Sequence, residues 1–91
     1  MTLQEKNEYA KEKLQRLRIQ SNRVRYKVLT KELNVSDSWI SKWFKGGLTA
    51  TEAQIRIILE YILVEEYILN ETNRLQAGEL TEEELKKLGV K

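Results

Sequence analysis

Between Tyr26 and Gly46 the sequence YKVLTKELNVSDSWISKWFKG carries two short helical patterns separated by an Asn-Val-Ser break. Leu29 and Leu33 stand four apart in the first pattern, and Ile40, Trp43 and Phe44 fall three and four apart in the second. That is the period of a helix with one buried face. Asn34 suits the left-handed conformation that often ends a helix. Ser36 is a short acceptor fit to cap the next helix, and Asp37 just inside favours the positive end of its dipole. Gly46-Gly47 then stops the pattern.

The flanking pattern predicts three more helices. The first spans about 3–20, with Leu3, Ala10, Leu14 and Leu17 on one narrow line that Asn7 interrupts. This spacing fits either a helix laid across the domain or a short coiled-coil seam. The second helix, about 23–33, has Ser21 or Asn22 as its expected cap, and the third covers about 37–45. Thr49-Ala50-Thr51-Glu52 reads as a capping box for a long fourth helix, about 52–75. Thr81 to Glu84 reads as another, opening a fifth over about 82–88. Proline is absent, glycine is scarce and no alternating β-branched run occurs. The expected fold class is therefore all-α: one small helical bundle over 1–91 with a helix-turn-helix at its centre.

The fourth helix separates its apolar side chains into two faces. One holds Ile55, Ile58, Leu59 and Ile62; the other holds Ile57, Tyr61, Val64, Ile68 and Leu75. A helix apolar on two sides needs cover on two sides. The second face is thus the expected dimer interface of a homodimer. Cover by the first and fifth helices within the monomer is the alternative. The seam on the first helix leaves open which helix pairs.

Composition narrows the chemistry. With 91 residues, 33% of them charged and 41% hydrophobic, the chain suits a single folded domain. It contains neither cysteine nor histidine. Disulfides, thiolate metal sites and histidine-based acid–base catalysis are thereby excluded. No metal, cofactor or phosphate-loop pattern is found, and the expectation is a non-enzyme. No apolar run reaches the roughly 20 residues that span a bilayer. Met1 to Lys11 holds no apolar core of the signal-peptide kind, so the expected location is cytoplasmic, nucleoid-associated if DNA-bound. The net charge of +2 conceals +6 over residues 1–49 and −4 over residues 50–91. A basic half points to a polyanionic partner, with the acidic half turned away.

Tyr26 to Lys45 resembles the helix-turn-helix of the Cro/lambda-repressor-like (XRE-type) family of bacterial and phage regulators. That family's twenty-residue pattern wants apolar side chains at its fourth, eighth, tenth, fifteenth and eighteenth positions, here Leu29, Leu33, Val35, Ile40 and Trp43. Thr30 stands where a small residue is usual and Asn34 where glycine is usual. Ile40-Ser41-Lys42-Trp43 followed by Gly46 is also similar to the family's wording. Two features depart from it. Arg25 stands near the usual Ser or Thr cap of helix two, which suggests that this helix starts a turn earlier. The fourth helix is longer than the family norm.

The resemblance implies a DNA-binding protein whose third helix enters the major groove of double-stranded DNA. Its own spacing turns Ser38, Ser41, Lys42 and Lys45 outward, opposite Ile40. These are the base-contact candidates, with Ser38 and Lys42 foremost. Arg23, Arg25, Lys27 and Lys31 are the phosphate-contact candidates, since helix two crosses the backbone in this family. A dimeric transcriptional regulator, for example a repressor, of phage, plasmid or bacterial type is the leading expectation. The alternative is a helix-turn-helix-derived module, an inhibitor or antirepressor, acting on a protein partner. The long two-faced fourth helix and the acidic run at Glu79, Glu82, Glu83 and Glu84 motivate that alternative.

Overall fold

The computed structural model describes residues 1–76 of the chain, and among these it is all-helical. The helices are α1 (Leu3–Gln20), α2 (Tyr26–Leu33), α3 (Asp37–Phe44) and α4 (Glu52–Gln76). The expected helix at 82–88 lies outside the described residues. No helix among them is long and apolar enough to cross a membrane.

Each helix boundary has a local cause. Thr2 Oγ1 accepts from the Glu5 N–H at 3.2 Å, and the Glu5 carboxylate accepts from the Thr2 N–H at 3.0 Å. These two bonds form a capping box at the start of α1. The bond from the Thr2 N–H, and after it the Thr2 hydroxyl, holds the Glu5 carboxyl below the ordinary carboxylate pKa. α4 opens the same way, with Thr51 and Gln54 bonding each other's N–H groups at 3.2 and 2.9 Å. The sequence placed this box two residues earlier, at Thr49 and Glu52. Ala50 is fully buried and both its backbone groups bond to Asn7, so the helix begins only beyond it.

α2 differs most from expectation. It starts at Tyr26 rather than near residue 23, and neither Ser21 nor Asn22 caps it. Arg25 occupies the N-cap with extended backbone and no side-chain cap. The Ser21 hydroxyl instead accepts from the Arg23 N–H, closing a local turn. Val24 is drawn into the core and the Arg25 N–H donates to the Tyr61 hydroxyl. Burying Val24 and serving Tyr61 both require extended chain at these residues, and that overrides their helical pattern.

α2 and α3 end alike. At Asn34 the backbone turns left-handed (φ 55°), and the Val35 N–H reaches the Thr30 carbonyl at 3.0 Å. At Gly46 (φ 84°) the Gly47 N–H reaches the Lys42 carbonyl at 2.8 Å. Both are Schellman closures, which satisfy carbonyls that a helix end would otherwise strand. Only these two described residues have positive φ, one an Asn and one a Gly, the types that tolerate it. α3 stops at Phe44, one residue short of expectation. Between the two helices Ser36 caps α3, its Oγ accepting from the Trp39 N–H.

α1 and α4 run in broadly the same direction. Lys6 meets Glu52 at 3.3 Å near both N-termini, and Lys13 meets Glu66 at 3.2 Å further along. The core lies between this pair and α2–α3, with Leu14, Leu29, Trp43, Ile55, Ile58 and Ile62 as its largest fully buried side chains. Each contributes about 1.5–3 kcal/mol by leaving water. Asn7 lies in the middle of this apolar layer at 3% exposure. Its Oδ1 accepts from the Trp43 indole N–H at 2.7 Å and the Ala50 N–H at 2.9 Å. Its amide donates to the Leu3 and Ala50 carbonyls at 2.8 and 3.2 Å. The interruption in the apolar line of α1 is thus the polar knot that ties α1, α3 and the start of α4 together. No buried side-chain polar atom among the described residues lacks a partner.

Candidate nucleic-acid interface

α3 is held from behind and bare in front. Ile40 and Trp43 are buried, Trp39 and Phe44 are half-buried, and Ser38, Ser41, Lys42 and Lys45 are exposed. Trp39 stacks on Trp43 with ring centroids 6.0 Å apart, and Phe44 packs on Trp43 at 4.9 Å. Aromatic contacts therefore fix how α3 rotates about its axis. The Ser38 hydroxyl lies 2.9 Å from that of Ser36, which holds it at the helix N-terminus. Asp37 is exposed in the first turn, where the helix dipole favours its charge.

The first turn of α2 lies beside the last turn of α3, because the Tyr26 and Phe44 rings meet at 5.0 Å. Lys27 and Lys45 follow these rings in the chain and are both exposed. The Arg18 guanidinium, from the end of α1, lies over the Tyr26 ring, 4.5 Å from its centroid. Burial raises the Tyr26 phenol pKa, and the Arg18 charge opposes that shift. Around this point Arg18, Ser21, Asn22, Val24, Arg25, Tyr26 and Lys27 line an open depression of about 360 Å³. Three of the seven are cations, so an anion placed there meets favourable charge.

The cations divide into two sets. Lys6, Lys11, Lys13, Arg16 and Arg23 each lie within 4.0 Å of a carboxylate. Arg25, Lys27, Lys31, Lys42 and Lys45 form no ion pair among the described residues. This unmatched set lies on α2 and α3 or at their caps; Arg18 on α1 and Arg56 on α4 likewise form no ion pair among the described residues. Arg23, one of the four phosphate-contact candidates, belongs to the matched set: its Nε donates to Glu65 at 3.2 Å. Arg18 was not among the sequence candidates, because its place beside Arg25 and Lys27 depends on how the α1–α2 connection turns.

The expected dimer-interface residues are dispersed. Ile57 and Tyr61 are half-buried against the core, and the Tyr61 hydroxyl bonds the chain entering α2. Ile68 is half-buried beside Gln20 to Arg23. Val64 is exposed, at 56%. Leu75 lies outside the residues whose side chains are described. α2 and the α1–α2 connection therefore cover much of the face that the sequence assigned to a second subunit. Leu63 and Tyr67, which the helical pattern left unassigned, are exposed at 66% and 67%.

No protein-family model, no curated protein and no solved structure matches this chain. The residues described above therefore carry the functional argument. Together they define a helical domain that presents a short polar helix flanked by unmatched positive charge.

Proposed function

We propose that the protein binds double-stranded DNA through α3, as a transcriptional regulator of phage, plasmid or bacterial type. The observation that carries this reading is the segregation of charge. Cations elsewhere are largely matched by carboxylates, whereas Arg25, Lys27, Lys31, Lys42 and Lys45 remain unmatched on α2 and α3. With its side chains an α-helix is about 10–12 Å across, which fits the roughly 12 Å width of the major groove. Ser38, Ser41, Lys42 and Lys45 are donors for base-edge acceptors and phosphate oxygens. Arg25, Lys27 and Lys31, with Arg18 beside them, supply phosphate contacts. They set orientation and salt dependence.

Selection of bound sequences from random duplex DNA at physiological salt tests this directly. Lys42→Ala is expected to weaken binding to the selected sequence by about tenfold while changing non-specific binding far less. The Arg25→Ala/Lys27→Ala pair is expected to weaken both and to flatten the salt slope by about two. Absence of duplex binding even at low salt ends the proposal.

The second reading, a helix-turn-helix-derived module acting on a protein partner, draws support from the exposed Leu63, Val64 and Tyr67. It is favoured if cellular function survives a Ser38→Ala/Lys42→Ala variant that no longer binds DNA.

A further inference from the structure

The outward strip of α4 is arranged symmetrically about Leu63 and Val64. At about 100° per residue, Arg56, Glu60, Leu63, Val64, Tyr67 and Glu71 share one side of the helix. Leu63, Val64 and Tyr67 form its apolar centre, and Val28 of α2, 43% exposed, extends that centre sideways. Val28 and Val64 line one shallow groove of about 220 Å³ with Ile57, Tyr61, Glu32 and Glu60. Arg56 stands seven residues before Leu63, and Glu71 stands seven residues after Val64. Arg56, Glu60 and Glu71 are exposed and form no ion pair among the described residues.

We propose that this strip is a homodimer interface, in which α4 packs antiparallel on α4 of a second copy about a two-fold axis at Leu63–Val64. In that register Leu63 faces the partner's Val64, and Arg56 faces the partner's Glu71. Glu60 faces the partner's Tyr67, whose hydroxyl can donate to the carboxylate. The two-fold axis repeats every contact, as an isologous interface requires. A parallel pairing in register would set Arg56 against the partner's Arg56 and Glu71 against the partner's Glu71. Charge therefore selects the antiparallel arrangement. The surface differs from the face expected from sequence, sharing only Val64 with it, because α2 already covers Ile57 and Tyr61. It uses none of the proposed DNA-contacting residues, so it stands or falls independently of that function.

Sedimentation of the full chain across a concentration series, without DNA, tests the interface. The expected result is a concentration-dependent monomer–dimer equilibrium. Leu63→Glu is expected to raise the dimer dissociation constant more than about tenfold, with helical circular dichroism unchanged because Leu63 is exposed. Arg56→Glu alone and Glu71→Arg alone should each weaken the dimer. The Arg56→Glu/Glu71→Arg double variant should restore it, since each new charge meets its opposite on the partner. A protein monomeric up to millimolar concentration overturns the proposal. So does a dimer indifferent to Leu63→Glu, or one that the double variant fails to rescue. A monomer whose Tyr67 is shielded from a soluble quencher also overturns it, and assigns the strip to the chain's own residues 77–91.

Discussion

Asn7 and Glu65 are both buried polar residues, at 3% and 7% exposure, yet they are stabilised in different ways. Asn7 is neutral, and its two donors and two lone pairs are all used inside the protein. It can be sealed away from water because nothing on it is left unmatched. Glu65 carries a charge and reaches Arg23, whose side chain remains 60% exposed. A carboxylate is tolerated there because its partner keeps one side in solvent. The two residues also fasten different parts. Asn7 joins α1 to α3 and to the residue preceding Thr51, whereas Glu65 joins α4 to the chain entering α2. Each half of the α2–α3 unit thus has its own polar anchor on the α1–α4 pair, one dry and one half-wet.

The contrast predicts unequal losses on mutation. Asn7→Ala is expected to cost most, about 2–4 kcal/mol. It leaves the Trp43 indole N–H and both backbone groups of Ala50 buried without partners. Urea unfolding should show this as a lower midpoint at unchanged m-value. A loss no larger than that of Arg23→Ala would break the comparison. Arg23→Ala is expected to cost about 1 kcal/mol, since solvent screens an exposed guanidinium and can replace it. The loss should shrink as salt is added, which a series of unfolding midpoints at different ionic strengths would reveal.

Tyr61→Phe is expected to have the smallest effect at neutral pH, about 0.5–1 kcal/mol for one hydrogen bond from the Arg25 N–H. Its signature is the pH dependence. Burial raises the Tyr61 phenol above the ordinary 10.0, and the hydrogen bond from Arg25 opposes that shift. The folded state therefore keeps this proton longer than the unfolded state. Its contribution is whole below the ordinary pKa and declines as pH rises from there through the folded value. Thermal melts between neutral and alkaline pH should show less alkaline loss in Tyr61→Phe than in the parent, with Tyr26 supplying what remains.

The helices that the sequence announced most clearly are those whose signals are local. The first helix, the caps at Asn34 and Ser36 and the stop at Gly46 each depend on neighbours a few residues away, and each lies where its chemistry places it. The start of α2 was misplaced because Val24 and Tyr61 decide it from outside the segment. The capping box of α4 was misplaced because Asn7, far away in sequence, claims Ala50. Thr30 is an instructive case. Its hydroxyl donates to the Lys27 carbonyl at 2.8 Å, so a larger residue than alanine fits the close approach without an unmatched polar atom. The outward face of α3 was legible from helical period alone. The matching of charges was not, because pairs such as Lys13 with Glu66 and Arg23 with Glu65 exist only once α1 and α4 lie together.

The common direction of α1 and α4 bears on how the chain reaches this fold. Antiparallel helices can zip outward from a short connecting loop, but a parallel pair cannot. Before Asn7 can bond Ala50, or Lys13 reach Glu66, the whole of α2 and α3 must be spanned. The loop entropy for that span is lost before any of these contacts is gained. Folding of the domain is therefore expected to be slower than that of an up-and-down bundle of equal length. The closure of α1 onto α4, with α2 and α3 carried inside the closing loop, is the step expected to limit the rate.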